Sequence, residues 1–334
     1  ENNNNIQVAA GNVLNAQGQL MQIQYSVIPS VNALLLGYSA DRAIFLYRGG
    51  YNTVIIPEYA LNLFQYLRSS EAAKAKFKAS QATQDTVKLG VISQTVSGYF
   101  TYVGQTLLLS QLNRLVADLK ELLYLSKKQY AEGLISLYTL QKFEQQYDTA
   151  KAELPIAKNN VVVSRNALRV LLNENPGDVG IGSSFMKIKS NGLVPTNLPA
   201  EVLKNRPDVR EAEQKLIAAN AKVGVVTSTF FPTINITNIF GTATDVFSKL
   251  FTQDTQIGNS LSLFTAPLLA PEYPGQHKSA IGLRYAAYHD YIQVIRTAFQ
   301  SVDDDLSAHL EYYTSLVAQR KNFLSSKEAY SLAS

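Results

Sequence analysis

Shifted by 203 positions, the 334-residue sequence matches itself without a gap from residue 2 onward. Asn2 falls on Asn205, Ile6 on Val209, Ala9 on Ala212, Val13 on Leu216, Leu20 on Val223 and Ile23 on Val226. The register continues through Pro29 on Pro232, Ser30 on Thr233, Val31 on Ile234 and Asn32 on Asn235, so a helical pattern and the strand after it are both duplicated. A few residues of slippage then bring Lys76-Phe77 onto Arg284-Tyr285. Self-similarity of this kind constrains the architecture before any local reading does. The first repeat takes residues 1–203. The second takes 204–334 and stops about where its own return helix is expected, about 70 residues short of a full unit.

Each repeat reads as helix, strand, strand, long helix. In the first, the strands are expected at about 29–38 and 52–62, followed by a helical hairpin over 65–175 and a connector. In the second, a helix over 207–229 precedes strands at about 232–241 and 258–267 and a long helix over 275–334. No proline occurs from Glu58 to Leu154, and a straight helix from about Gln65 to Glu132 would reach roughly 100 Å. Leu108, Leu112, Leu115, Leu119 and Leu122 form one stripe, and Leu109, Val116, Leu123 and Tyr130 a neighbouring one. Two seams of period near 3.5 imply coiled-coil neighbours on two sides. After a turn at Glu132-Gly133 the period resumes from Leu140 to Leu171, with a bend expected at Pro155 and a stop at Asn175-Pro176-Gly177.

Four segments alternate with period two. Val31 and Ala33 follow Pro29, Val54 and Ile56 follow a turn at Arg48-Gly49-Gly50, Ile234 and Ile236 follow Pro232, and Leu261 and Leu263 follow Gly258. The apolar set Ile234, Ile236, Leu261 and Leu263 is expected to face away from Thr233, Asn235, Thr237, Ser260 and Ser262. A soluble sheet half-buried on a core shows the same alternation. A membrane barrel strand, with one lipid face and one wet face, also fits, because long helices flank each pair and no other apolar layer covers it. Tyr38, Phe45, Tyr47, Tyr51, Tyr59, Phe240, Phe247 and Phe251 cluster at the strand ends, as interfacial girdles do.

Composition removes most chemistry. There is no Cys, hence no disulfide or thiolate metal site, and His277, His289 and His309 are too far apart for a HExxH zinc motif. A net charge of +4 is too small and scattered for a nucleic-acid footprint. No run of 18 apolar residues exists, so no transmembrane helix is expected. Gly177-Asp-Val-Gly-Ile-Gly182 lacks the Gly-Lys-Ser/Thr of a phosphate loop, and Asp303-Asp304-Asp305 cannot aim three consecutive helical carboxylates at one ion. No catalytic, cofactor-binding or metal-ligating residue is assigned, and no cofactor is expected.

The text from Leu198 onward resembles a known family. Leu198-Pro-Ala-Glu-Val-Leu-Lys-Asn-Arg-Pro-Asp-Val-Arg210, Leu216-Ile-Ala-Ala-Asn-Ala221 and Phe230-Phe-Pro-Thr-Ile234 are similar to the middle-repeat signature of TolC-like outer-membrane factors. Asn166-Ala-Leu-Arg-Val-Leu-Leu172 and Leu61-Asn-Leu-Phe-Gln-Tyr-Leu-Arg68 resemble two further signatures. The nearest branch looks like the NodT-like lipoprotein channels that serve RND efflux pumps.

The resemblance implies an α+β membrane protein. Three copies would give four strands each to a twelve-stranded outer-membrane β-barrel, and their helices to a coiled-coil tunnel through the periplasm. The implied function is passive conduction of drugs or other small toxic compounds as the outer-membrane part of a tripartite pump. Its partners would be a periplasmic adaptor (membrane fusion) protein, an inner-membrane RND transporter and outer-membrane lipid, with no nucleic acid and no enzymatic activity. A coiled-coil scaffold and the exit channel of a type I protein secretion system are the alternatives. Gly133, Leu134, Ile135 and Ser136 match the family's adaptor-docking tip. Thr139 stands at the possible gate level where the family commonly has Asp, and Asn62 stands where the strand-to-helix signature commonly has Asp. Ala270-Pro-Glu-Tyr-Pro-Gly-Gln276 replaces the usual turn, the gate carboxylates of the second hairpin would follow Ser334, and the lipid-bearing Cys of the branch would precede Glu1.

Overall fold

The computed structural model of the chain describes residues 2–44, 47–180, 204–244, 246–250, 256–267 and 270–333. In chain order these form α1 (Asn4–Tyr25), β1 (Ser30–Ile44), β2 (Tyr47–Leu61), α2 (Leu63–Ala131), α3 (Leu137–Leu171), α4 (Pro207–Thr227), β3 (Thr233–Thr244), β4 (Gln256–Thr265) and α5 (Tyr273–Ala333). Short 3-10 turns at Ser228–Phe230 and Phe247–Lys249 flank β3. The connector over 181–203, which carries Leu198 to Leu203 of the signature, lies outside the described residues, as do Phe45 and Phe251. Two compact units make up the chain: Glu1–Ala10 with Gln84–Leu193, and Gly11–Thr83 with Val194–Ser334.

The second unit holds one antiparallel sheet of order β1-β2-β3-β4. The ladder corrects two expectations. Gly49 and Gly50, read as a turn, pair with Ser39 and Tyr38 inside the β1–β2 ladder, because cross-strand pairing overrides the weak strand preference of glycine. The apolar residues of β3 and β4 do not share a face. Ile234 lies opposite Phe264 and Ile236 opposite Ser262, whereas Leu263 lies opposite Asn235 and Leu261 opposite Thr237. Residues directly opposite one another project from the same side of a sheet. Ile234 and Ile236 are therefore on one face and Leu261 and Leu263 on the other, since alternation fixes each strand's two sides but not how neighbouring strands are phased.

Helices below the sheet pack through small side chains. Val209, Ala212, Ala218, Ala221, Val225 and Val226 of α4 are buried, and α4 packs along α5. Ala72, Ala75, Ala79 and Ala82 of α2 and Ala280 and Ala298 of α5 are buried too. Alanine at a helix contact brings the axes toward the short end of the 8–10 Å range and favours helix formation. At the start of α4, Arg206 clasps Asp208 through Nε to Oδ1 at 3.2 Å and a second guanidinium nitrogen to Oδ2 at 2.9 Å. The Arg206 hydrogen bond holds the Asp208 carboxyl below its ordinary range, against the opposing effect of burial.

Within the first unit, Val103, Leu123 and Ser126 of α2 and Leu140, Ala150 and Leu168 of α3 are buried. Of the two stripes on α2, one has Leu123 buried, Leu109 and Val116 half-buried and Tyr130 exposed, while in the other Leu108 (61% exposed), Leu115 and Leu122 are exposed and Leu112 and Leu119 half-buried. Helix α3 is continuous through Pro155. It ends earlier than Asn175-Pro176-Gly177: Asn173 adopts φ 60°, its N–H bonds to Val170 O and that of Glu174 to Arg169 O. Those two bonds form a Schellman motif with Asn in the left-handed position. Arg169 then fastens the chain beyond, with Nε 2.8 Å from Asn175 O and an ion pair to Glu174.

Candidate functional site: the hairpin tip and the sheet–helix junction

The tip between α2 and α3 is built from two helix caps back to back. Gly133 takes φ 73°, its N–H donates to Tyr130 O at 3.0 Å and that of Leu134 to Gln129 O at 2.9 Å, which completes a Schellman closure of α2. Ser136 then N-caps α3, its Oγ accepting from Thr139 N–H at 3.2 Å and lying 3.0 Å from Thr139 Oγ1. Thr139 is thus committed to capping the helix. The inter-helix ion pair nearest the tip is Lys127 to Glu144 at 3.4 Å, half exposed, worth on the order of 0–1 kcal/mol. With both caps facing inward, Leu134, Leu137 and Tyr138 project into solvent at 54–70% exposure, and Ile135 is half-buried between them.

These caps yield a testable expectation. Gly133→Ala forces a Cβ into the left-handed region at about 1–2 kcal/mol, and Ser136→Ala removes the cap at about 1 kcal/mol. Hydrogen exchange of the amides from Gln129 to Leu140 is expected to quicken severalfold in each variant, with distant helices unchanged. Unchanged exchange in both would show that the caps do not hold the tip.

At the other end of α2, Asn62 joins two chain crossings. It is 7% exposed. Its Nδ2 donates to Ser228 O and to Phe231 O, both at 3.0 Å, and its Oδ1 accepts from Gln65 N–H at 3.0 Å. One side chain therefore N-caps α2 and satisfies two carbonyls at the α4-to-β3 turn. The departure from Asp noted in the sequence has a chemical reason here, since a carboxylate has no hydrogen to give those carbonyls. Around this clamp Phe64 stacks on Phe231 with centroids 4.3 Å apart, and Phe230 meets Tyr273 edge-on at 4.1 Å. Sequence reading looked for aromatics at the strand ends and missed these, because their partners come from segments far apart in the chain. Of the strand-end set, Tyr51 meets Phe247 edge-on at 5.1 Å.

The eight strand residues singled out from the sequence all lie in the sheet but not on one surface. Val31, Ala33, Ile234 and Ile236 share a face, and Val54, Ile56, Leu261 and Leu263 share the opposite one. Because every neighbouring pair is antiparallel, β1 and β3 run in one direction and β2 and β4 in the other. The edges β1 and β4 pair only with β2 and β3 among the described residues.

Residues 1–174 and 198–334 match the outer membrane efflux protein family. This chain belongs to that family. Among curated proteins the chain is similar to a probable efflux pump outer membrane protein, SepC of Pseudomonas putida, 29% identical over 290 residues, covering 85% of this chain and 59% of SepC. It is also similar to a probable outer membrane lipoprotein, SilC of Salmonella typhimurium, 26% identical over 342 residues, covering 96% of this chain and 70% of SilC. The chain thus spans about three fifths of SepC. Among solved outer membrane efflux protein folds, the open state of the Neisseria gonorrhoeae MtrE outer membrane channel superposes with a TM-score of 0.86 at 26% identity, over 99% of this chain and 76% of that one. CusC superposes at 0.84 and 22% identity, over 97% and 76%, which supports the same α+β channel fold. None of these names denotes an enzyme.

Proposed function

We propose that this chain is the outer-membrane channel of a tripartite efflux pump, conducting drugs or other small toxic compounds passively from periplasm to exterior. The observation that carries the reading is the four-stranded sheet whose two long edges are unpaired among the described residues. An exposed edge presents unpaired N–H and C=O groups and calls for a partner, and in hydrocarbon only a closed ring of strands satisfies them all. Laying β4 of one copy against β1 of the next closes a ring, and three copies give twelve strands. The outward stripe of Leu108, Leu115 and Leu122, beside an open groove of about 580 Å³ that also involves Ile156, gives the helices a second seam for neighbours in such a tunnel. The exposed tip from Gly133 to Ser136 suits docking of a periplasmic adaptor linked to an inner-membrane RND transporter. Thr139 marks the level at which seam packing would hold a closed state and adaptor contacts favour an open one. The two sequence repeats, 1–203 and 204–334, are in this reading the pseudo-equivalent halves of each protomer's wall.

Fractionation of cells followed by mass determination of the detergent-solubilised protein tests this. A trimer in the outer membrane is expected. A monomer or dimer that stays in solution without detergent would leave a coiled-coil scaffold as the better reading.

A further inference from the structure

If the sheet inserts into the outer membrane as proposed above, its two faces must differ, and the register separates them. Opposite residues place Val31, Leu35, Ile55, Ile236, Phe240 and Phe264 on one surface. The other surface carries Asn32, Glu58, Asn235 and Asn259, interleaved with Leu34, Val54, Ile56, Leu261 and Leu263. Hydropathy along any single strand cannot choose between them, because both surfaces contain apolar side chains. Charge and amides choose. Over the continuous ladder, from Ser30 to Ser39, Gly49 to Leu61, Thr233 to Thr244 and Gln256 to Thr265, Glu58 is the sole carboxylate and there is no Lys or Arg. Glu58 lies opposite Ser30 and Thr237, in company with Asn32 and Asn235. The first surface has no charge, and its amides are Asn238 and, at the far end of β4, Gln256.

We infer that the surface of Val31, Leu35, Ile55, Ile236, Phe240 and Phe264 meets lipid hydrocarbon and that the surface of Asn32, Glu58 and Asn235 meets water. An uncharged surface is electrically matched to hydrocarbon, while an ionised side chain there is strongly disfavoured. Dimensions agree: β4 has 10 residues, the length a tilted strand needs to cross a bilayer's apolar layer. Aromatics agree as well, since Tyr51, Tyr59, Phe240 and Phe264 all fall on the inferred lipid side, and the Phe64–Phe231 and Phe230–Tyr273 pairs sit where the strands give way to helices, the level of an interfacial belt. On this assignment Leu261 and Leu263, chosen from the sequence together with Ile234 and Ile236, line the wet side instead.

The chain contains no Trp, so a single introduced indole reports its own surroundings. Adjacent residues sample opposite sides: Ile55→Trp against Ile56→Trp on β2, and Phe240→Trp against Ile239→Trp on β3. A third pair, Leu35→Trp against Leu34→Trp on β1, guards against one variant failing to assemble. Each is reconstituted as the wild-type oligomer in vesicles of ordinary or dibrominated phosphatidylcholine, and iodide is added to the aqueous phase. Brominated lipid is expected to dim Ile55→Trp, Phe240→Trp and Leu35→Trp roughly threefold and to spare their neighbours, which iodide quenches instead. The reverse pattern, or equal quenching on both sides, overturns the face assignment while leaving insertion standing. Absence of bromine quenching at every position overturns insertion itself.

Discussion

Asn62→Asp is expected to destabilise the sheet–helix junction by about 3–5 kcal/mol, the cost of an uncompensated charge in a buried polar site. The variant keeps the size and the acceptor that receives Gln65 N–H, but it turns two donated bonds, to Ser228 O and Phe231 O, into contacts between like partial charges. Its pH dependence identifies the cause. Burial and two facing carbonyls raise the folded-state pKa of the introduced carboxyl above its unfolded value, so stability is retained at pH below the unfolded value and lost as pH rises through the folded one. Asn62→Ala, which carries no charge, is expected to lose about 1–3 kcal/mol at all pH values. Urea unfolding of the detergent-solubilised protein at acidic and neutral pH measures both. Equal loss for the two variants, without pH dependence, would show that the amide's donors do not hold the junction.

Gly241→Ala is expected to cost about 3 kcal/mol or more, at the upper end of overpacking effects. Gly241 pairs with Val54 across the β2–β3 seam. A Cβ there would overlap the Thr53 carbonyl oxygen and come within 2.9 Å of Val54 Cα, and both obstacles are backbone. Directly beside it, Thr53 and Thr242 lie opposite each other and their hydroxyls are buried without hydrogen-bond partners among the described residues, so the seam has little left to yield. Gly224→Ala provides the contrast. Its Cβ would come 2.8 Å from Arg68 Cδ, but the Arg68 side chain is 55% exposed and can swing aside for less than about 1 kcal/mol. Yield of folded oligomer and its melting temperature distinguish the two, and a Gly241→Ala protein as stable as wild type would refute the tight seam.

Much of this architecture is legible in the linear text, because repeats, heptads and alternation are local or nearly local signals. The long helices, their two α2 stripes and the four strands follow from spacing alone, and the tip from a turn at Glu132-Gly133, whereas the capping role of Ser136 is seen only in the structure. The phasing of strands against one another is not local. It depends on where each turn and long crossover delivers the chain, which is how Gly49 and Gly50 come to lie in the ladder and how Leu261 comes to oppose Thr237. Asn62 was visible only as a departure from a familiar pattern, since the carbonyls it serves lie more than 160 residues away in sequence. The aromatic pairs at the junction are hidden for the same reason.

The seam between β2 and β3 also bears on how such a chain is made. Asn62 and Phe231, joined across it, are 169 residues apart, so the β1–β2 hairpin is complete long before the strand that will cover its inner edge exists. At about 5–20 residues per second, synthesis leaves that edge bare for roughly 10–30 s. During that interval the hairpin offers open backbone groups flanked by Val54, Ile55 and Ile56 to any other nascent chain, which is the geometry of aggregation through edge pairing. The length of chain between β2 and β3, and not the stability of the finished sheet, therefore sets how long this edge stays open while the protein is being made.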